Sequence, residues 1–368
     1  MDIISIIQDS SVIQTWIKIV VFIFLFVMPL AILMTLFERK WSALIQDRIG
    51  PNRANVGSIR LKGVLHIVAD GLKAIFKEDF IAKGTNKVLF TIAPYFGFFA
   101  AFVIFSIIPV AGPIGGFHFQ ITDVDSGMLM ILALTSLGAY GAVIAGWSTE
   151  NKYGILGSVR SSAQVISYEV FLGLAIVGLF LVHGSLRVND IVAGQNEYWF
   201  GGWIPKWGIF TQPLGFLLFF IALIAETKRA PFDAPEGESE IIAGYFIEYS
   251  GMRFASFFVS EYVSLVGVSV LMTTLFLGSY HLPWLHADGF HFGASFFLAV
   301  PMWLVAMLQF LAFFCKTFFF CWLQLVIRWS VPRFRFDQTM RLGWKRLMPI
   351  GIANIMLTAI VLTIMDAF

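Results

Sequence analysis

Eight runs of apolar residues recur along this chain. Most are close to the length that crosses a bilayer as helix, and they restrict the chain to a membrane fold. The hydrocarbon core needs roughly 20 apolar residues of helix. The runs fall near Trp16–Phe37, Val88–Val110, Met128–Trp147, Val165–Val182, Pro213–Ala225, Phe254–Leu277, Phe296–Phe320 and Leu347–Ile364. The fifth is short unless it begins near Trp207, and the seventh continues as apolar sequence past Lys316 to Ile327. The first is longer than the apolar region of a signal peptide and lacks a cationic front, so it reads as a span. Of the 368 residues 58% are hydrophobic and only 13% charged; a soluble domain carries about 25% charged residues. A single water-soluble core cannot hide that much apolar surface. A soluble enzyme and a disordered chain are excluded, and a net charge of +2 is too small to suggest a nucleic-acid partner. The expected fold is an all-α polytopic membrane protein of eight spans, with residues 1–368 forming one membrane domain.

With eight spans, the loops after the odd-numbered ones share a side. These loops cover residues 38–87, 148–164, 226–253 and 321–346. With Lys316 counted beside the last of them, they hold every one of the 25 Lys and Arg except Lys18, Arg187 and Lys206. The positive-inside rule then predicts cytoplasmic basic loops and both termini outside.

Two of these loops carry more than connection. Between Arg60 and Lys77, Lys62, His66, Asp70, Lys73 and Lys77 fall on one helical face, with Leu61, Val64, Val68 and Ile75 opposite. This predicts an amphipathic helix at the interface, serving as a lipid-surface anchor, a partner-docking surface or both. The loop after the fifth span places Asp233, Glu236, Glu238, Glu240 and Glu248 within 16 residues, beside Lys228, Arg229 and Arg253. Asp233 and Glu236 have the spacing of a capping box, so part of this acidity can simply start a helix. Glu236 and Glu240, four apart, repel. If the segment packs inward, some of its carboxyls acquire raised pKa values and exchange protons near neutral pH.

Acids also lie in or at the ends of the spans: Glu38, Glu150, Glu169, Glu226 and Glu261. An ionisable side chain facing lipid is costly, so such groups face the bundle interior or a wet cavity. Glu38, Glu150 and, less well, Glu226 suit a helix-end residue reaching the headgroups. Glu169 and Glu261 do not. Together with the acidic loop these acids are expected to form a polar route inward, of the kind that relays protons. Cys315 and Cys321, among phenylalanines, read as small buried hydrophobes. There is no dinucleotide fingerprint, phosphate loop or metal-ligand spacing. No catalytic residue, metal or cofactor of its own is therefore expected.

These motifs resemble one family. Glu38-Arg-Lys40, Arg48-Ile-Gly-Pro-Asn-Arg53, Ala69-Asp-Gly-Leu-Lys73, Phe76-Lys-Glu78, Gly157-Ser-Val-Arg160, Ile166-Ser-Tyr-Glu169, Glu226 through Tyr249, and Val331-Pro-Arg-Phe-Arg-Phe-Asp-Gln338 look like the quinone-site membrane subunit of NADH:quinone oxidoreductase. In bacterial complex I this is the equivalent of mitochondrial subunit 1. The matches run in order through nearly the whole chain, and Arg229 through Glu240 is the most specific. The resemblance implies a heel subunit joining the membrane arm to the peripheral arm; the lack of a transit segment favours the bacterial inner membrane over the mitochondrial one. The resemblance also implies ubiquinone as substrate in a shared chamber, with NADH, FMN and iron–sulphur clusters in partner subunits. Those partners are the terminal iron–sulphur subunit, the large hydrogenase-derived subunit and the small membrane subunits leading to the antiporter-like ones. By motif match it places Asp233, Glu236, Glu238, Glu240 and Glu248 at the chamber, and Arg39, Lys40 and Arg53 near the chamber or its mouth. Glu150, Glu169, Glu226 and Glu261 fall on a carboxylate path that couples quinone reduction to proton translocation. One departure stands out. Many members have Gln-Pro where this chain has His66-Ile67, and losing a proline leaves a helix more continuous. A hydrogenase-related ion pump, a free-standing transporter and a purely structural scaffold are the competing readings.

Overall fold

The computed structural model of the chain describes residues 11–55, 57, 61–113, 118–199, 203–286, 288–292 and 296–367. Helix α1 (Gln14–Ile45) is followed by the surface helix α2 (Leu65–Phe76). Then come α3 (Lys87–Ile107), α4 (Gly127–Ser148) and α5 (Lys152–His183). A short α6 (Val188–Gly194) and the antiparallel pair β1 (Tyr198–Trp199) and β2 (Ile204–Pro205) lead to α7 (Pro213–Glu226). The one-turn α8 (Glu238–Ile241) precedes α9 (Gly251–Phe276). A three-stranded antiparallel sheet of β3 (Leu285–His286), β4 (Gly289–Phe292) and β5 (Phe296–Ala299) sets Phe290 opposite Leu285 and Leu298. The chain ends in α10 (Met302–Ser330) and α11 (Phe336–Met365).

Among the described residues, seven helices are long and apolar enough to cross a membrane: α1, α3, α4, α5, α9, α10 and α11. The all-α polytopic expectation holds, with a change at the fifth span. Helix α7 has 14 residues and rises about 21 Å, short of a hydrocarbon core of about 30 Å. Pro213 starts it at N1, after Gln212 breaks from a separate turn at Gly208–Thr211.

Other boundaries move for local reasons. Helix α5 begins well before Val165, because the Asn151 side chain accepts the Tyr153 backbone N–H as an N-cap and the polar stretch behind it continues as helix. Residues Phe296–Ala299 are strand, not the start of the seventh span, and α10 begins after Pro301 and runs on to Ser330. Pro332 stops it, since the residue before a proline avoids the α region. The amphipathic helix starts at Leu65, later than Arg60. Lys62 has φ 47, in the left-handed region, and Arg60 lies outside the described residues. The apolar face of α2 is open, with Val68, Leu72, Ile75 and Phe76 all exposed.

Two spans share one irregularity. Helix α1 contains a π turn at Ile23–Val27 followed by Met28-Pro29, and α11 one at Gly343–Leu347 followed by Met348-Pro349. Proline has no N–H to give to the carbonyl four residues back and clashes with it. Widening the preceding turn accommodates the ring without ending the span.

Helix α5 is the hub, packed on α4, α7 and α11, while α9 packs on α1, α3 and α10. Small residues set the closest approach. A Cβ on Gly141 of α4 would stand 3.1 Å from the Ala93 carbonyl and the Gly97 nitrogen of α3, the close backbone contact that small residues permit between membrane helices. Lys316 corrects the charge count. Its Nζ donates to the carbonyls of Leu277 (2.6 Å), Ser279 (3.0 Å) and His281 (2.6 Å) at the C-terminal end of α9, the end away from the acidic loop. It groups with Lys18, Arg187 and Lys206, drawn there because orphan carbonyls at a helix C-terminus attract a cation.

Candidate functional site

The acidic loop folds onto α5 through two glycines. A Cβ on Gly157 would lie 2.6 Å from the Gly244 Cα, and Gly244 itself has φ +56, with space for no side chain beside the Pro235 carbonyl. Neither position tolerates a side chain, and the backbones meet directly. Buried Gln164 of α5 fixes the loop's origin: its Nε2 donates to the carbonyls of Ala225 and Phe232, both at 2.8 Å. The linker between α10 and α11 holds the other flank, where the Phe334 N–H donates to the Pro231 carbonyl.

Thus placed, the loop acids separate onto different partners. Asp233 pairs with Arg333 (2.7 Å), Glu240 with Arg160 (2.8 Å), and Glu248 accepts from the Asn151 amide (2.7 Å). The Tyr245 hydroxyl donates to Glu236 (2.7 Å). The expected capping box is not made: α8 begins after Gly237, because Asp233 and Glu236 are engaged by stronger side-chain partners. The side chain of Glu238 lies outside the described residues. Burial pushes the Asp233 carboxyl up to about 6, against the opposing pull of Arg333 and Arg328. Burial raises Glu236 too, and the charges of Glu261 and Asp233 add to it. Lys228 is lowered by burial despite the acids around it.

Beneath the loop lies an ionic box. Arg229, 4% exposed, bridges Glu38 of α1 (3.1 Å) and Glu261 of α9 (2.9 Å). Arg328 of α10 bridges the same two acids (3.0 and 3.3 Å). The Tyr262 hydroxyl donates to Glu38 (3.0 Å), and the Arg229 guanidinium stacks on the Tyr262 ring (4.6 Å). Two carboxylates and two guanidiniums balance, which makes a buried charge cluster tolerable. The box ties the cytoplasm-facing ends expected for α1, α9 and α10 to the start of the loop.

From the box a cavity of about 130 Å³ opens between α3, α4, α5, α7, α9 and the acidic loop. Its polar wall includes Glu226, Lys228, Glu236, Tyr245, Glu261 and Thr135, with Thr227, Ser260 and Ser264; the rest is aliphatic, aromatic or glycine. The volume accommodates several waters. Helix α4 breaks at Ser136 beside it. There Ser136 adjoins Glu169 of α5 and Thr135 adjoins Glu226, which lies within reach of the Glu169 charge. The arrangement can hold, share and move protons; among the described residues, no group of three or more His, Cys, Asp or Glu side chains is placed to hold a metal ion.

Comparison with known proteins places the chain in a family. The family model described as NADH dehydrogenase matches residues 17–359. The chain belongs to the NADH dehydrogenase family. It is 42% identical to NADH-quinone oxidoreductase subunit 8 of Rhodothermus marinus over 94% of this chain and 96% of that protein. It is 39% identical to an NADH-quinone oxidoreductase subunit of Bdellovibrio bacteriovorus over 94% and 95%. It is 42% identical to an NADH-quinone oxidoreductase subunit of Geobacter metallireducens over 92% and 94%.

For this member of the NADH dehydrogenase family, the structure gathers Glu226, Glu236 and Glu261 at one cavity, with Glu169 next to it. Glu150 stands apart, exposed, with φ 51, in the turn before α5 and against Gly84. Arg39 pairs with Asp70 of α2 (2.6 Å). The Lys40 stem passes between the turns at Gly50 and Gly63, and Arg53 is exposed in the loop before α2. Sequence reasoning missed Lys228, Arg328, Tyr262 and Tyr245 as site groups. Lys228 was read beside the acidic cluster but given no role, Arg328 read as a topology-setting loop charge, and the tyrosines carried no signal until Glu38 and Glu236 were seen beside them.

Proposed function

We propose that the chain is the quinone-site membrane subunit of a proton-translocating NADH:quinone oxidoreductase. In this reading it forms the membrane wall of a ubiquinone chamber. Asp233, Glu236, Glu240 and Glu248 belong to the loop facing that chamber, with Glu238 among them, and Arg39, Lys40 and Arg53 stand near its mouth. Residues 1–368 act as one membrane domain of the bacterial inner membrane, with both termini outside and the basic loops in the cytoplasm. NADH, FMN and iron–sulphur clusters sit in partner subunits. The terminal iron–sulphur subunit and the large hydrogenase-derived subunit close the chamber, and small membrane subunits continue the path toward antiporter-like ones.

The observation that carries this reading is the continuity from the loop to the cavity. Glu236 belongs to the acidic loop and also lines the cavity that reaches Glu226 and Glu261. Reducing quinone in a low-dielectric chamber creates charge, or a demand for protons, that acts strongly at short range. The loop carboxyls respond by taking up or releasing protons, and the change passes through the cavity to Glu226, Glu169 and Glu261. Glu150, exposed in the turn before α5 and next to the Asn151 that binds Glu248, joins this path on the loop side.

The test is Glu236→Gln and Glu240→Gln in the intact complex, assembled and reconstituted in vesicles. Inhibitor-sensitive NADH:quinone reduction and proton uptake should both fall by about tenfold or more while assembly is preserved. Full quinone reduction with full pumping in both variants would sink the reading.

A further inference from the structure

We propose that Lys228 is a proton-carrying residue that links the loop acid Glu236 to the helix-end acid Glu226 across the internal cavity. This rests on the reading of the cavity as a coupling path and names a carrier within it.

Lys228 stands two residues beyond the end of α7. Its backbone N–H donates to the Ala225 carbonyl, and its φ is 57. Left-handed backbone in a long side chain is unfavourable and persists where the surroundings over-determine it, often at functional sites. Here it turns the side chain off the helix end into the cavity wall. The ammonium lies over the Tyr245 ring, 4.7 Å from its centroid, and the same tyrosine donates its hydroxyl to Glu236. The groups whose charge Lys228 feels are Glu236 from the loop, Glu261 from α9 and Glu226 from α7. No other cation lines this cavity among the described residues. The neighbouring guanidinium of Arg229 is committed to Glu38 and Glu261 and cannot release a proton in any case. A lysine can, because burial disfavours its charged form.

The step balances without electrons. The Lys228 ammonium gives one proton to the Glu226 carboxylate and becomes the neutral amine. The amine then takes one proton from the Glu236 carboxyl, leaving a carboxylate. One proton has moved from Glu236 to Glu226, directly or along the waters for which the cavity has room, and Lys228 ends as it began. The reverse sequence runs the other way. Burial favours the neutral forms of both Lys228 and Glu236, so each exchanges its proton at modest cost.

The experiment compares Lys228→Met and Lys228→Arg with the wild type in the whole complex, reconstituted in vesicles. Assembly is followed on native gels, and quinone reduction and proton uptake are read together. Arginine keeps the positive charge but cannot carry a proton. Both variants should therefore lose about ten- to a hundredfold in coupled turnover, with arginine giving no rescue. Recovery of wild-type turnover and pumping in Lys228→Arg would overturn the proposal in favour of a purely electrostatic role. Wild-type behaviour of Lys228→Met would overturn it outright. If the methionine variant fails to assemble, the arginine variant still decides, since it retains the cation among the acids. Glu236→Gln measured in parallel separates the two levels: if it is impaired while Lys228→Arg is normal, only the carrier fails, and if both are normal the coupling reading itself fails.

Discussion

Gly157 of α5 and Gly244 of the acidic loop touch back to back, with 2.6 Å between the position of a Cβ on Gly157 and the Gly244 Cα. Backbone faces backbone, so no rotamer change can relieve a side chain placed there. Gly157→Ala should lift the loop off α5 at a cost of about 1–3 kcal/mol, the usual range for overpacking. Because the loop carries Glu236 to the cavity wall, quinone-linked activity should fall more than the thermal midpoint of the assembled complex. Both are measured on the same preparation, and an unchanged activity with an unchanged midpoint would show that the loop is not docked by this contact.

The box of Glu38, Arg229, Glu261 and Arg328 makes a second prediction. Removing one member of a buried charge cluster strands its partners, and such changes cost about 3–5 kcal/mol. Arg229→Met should therefore destabilise the complex severely in thermal unfolding in detergent. Glu38→Gln combined with Arg229→Met should recover part of that loss, because the stranded carboxylate is gone. Strict additivity of the two single effects would show that the pair is not coupled.

The exposed pair Arg160–Glu240, with 23% and 43% of the two side chains accessible, should behave in the opposite way. Surface ion pairs are worth about 0–1 kcal/mol, so Glu240→Gln should leave the thermal midpoint nearly unchanged. A large loss of stability in that variant would mean that Glu240 is structural, and its effect on quinone reduction would then say nothing about protons.

Much of this architecture was legible in the sequence. Helices α3, α4 and α9 lie close to the apolar runs that mark them, since a span of roughly 20 apolar residues needs no tertiary context to be recognised. Glu169 and Glu261 were legible as sheltered because a charge within a span cannot face lipid, whereas Glu38 and Glu226 also suited helix ends reaching the headgroups, and only the fold shows Glu38 buried beside Arg229 and Glu226 on the cavity wall. What stayed hidden depended on long-range partners. Asp233 and Glu236 have capping-box spacing, yet Arg333 and Tyr245 reach them from other elements and win. Phe296–Ala299 is apolar enough for a span, but pairing with β4 makes it strand. Lys316 looks cytoplasmic by proximity to a basic loop, and only the three carbonyls at the end of α9 reveal where its ammonium goes. The π turns follow from Pro29 and Pro349, which were visible, although a proline alone does not say whether a span will kink, end or widen.

Asp233 supplies a pH prediction with a definite sign. Its carboxyl is pushed up from 3.8 to about 6 by burial, with Arg333 opposing. The folded chain therefore holds the proton between those values while the unfolded chain has released it. With more protons bound in the folded state, stability falls as pH rises through this window. At one pKa unit per 1.36 kcal/mol, and with part of the side chain open to solvent, the total is about 2 kcal/mol. Asp233→Asn cannot ionise and should lack this component. The difference in thermal midpoint, wild type minus Asp233→Asn, should therefore decline between about pH 4 and pH 6 and be flat above. A difference that instead rises with pH would mean that the Arg333 ion pair outweighs burial, and that Asp233 is held charged in the folded protein.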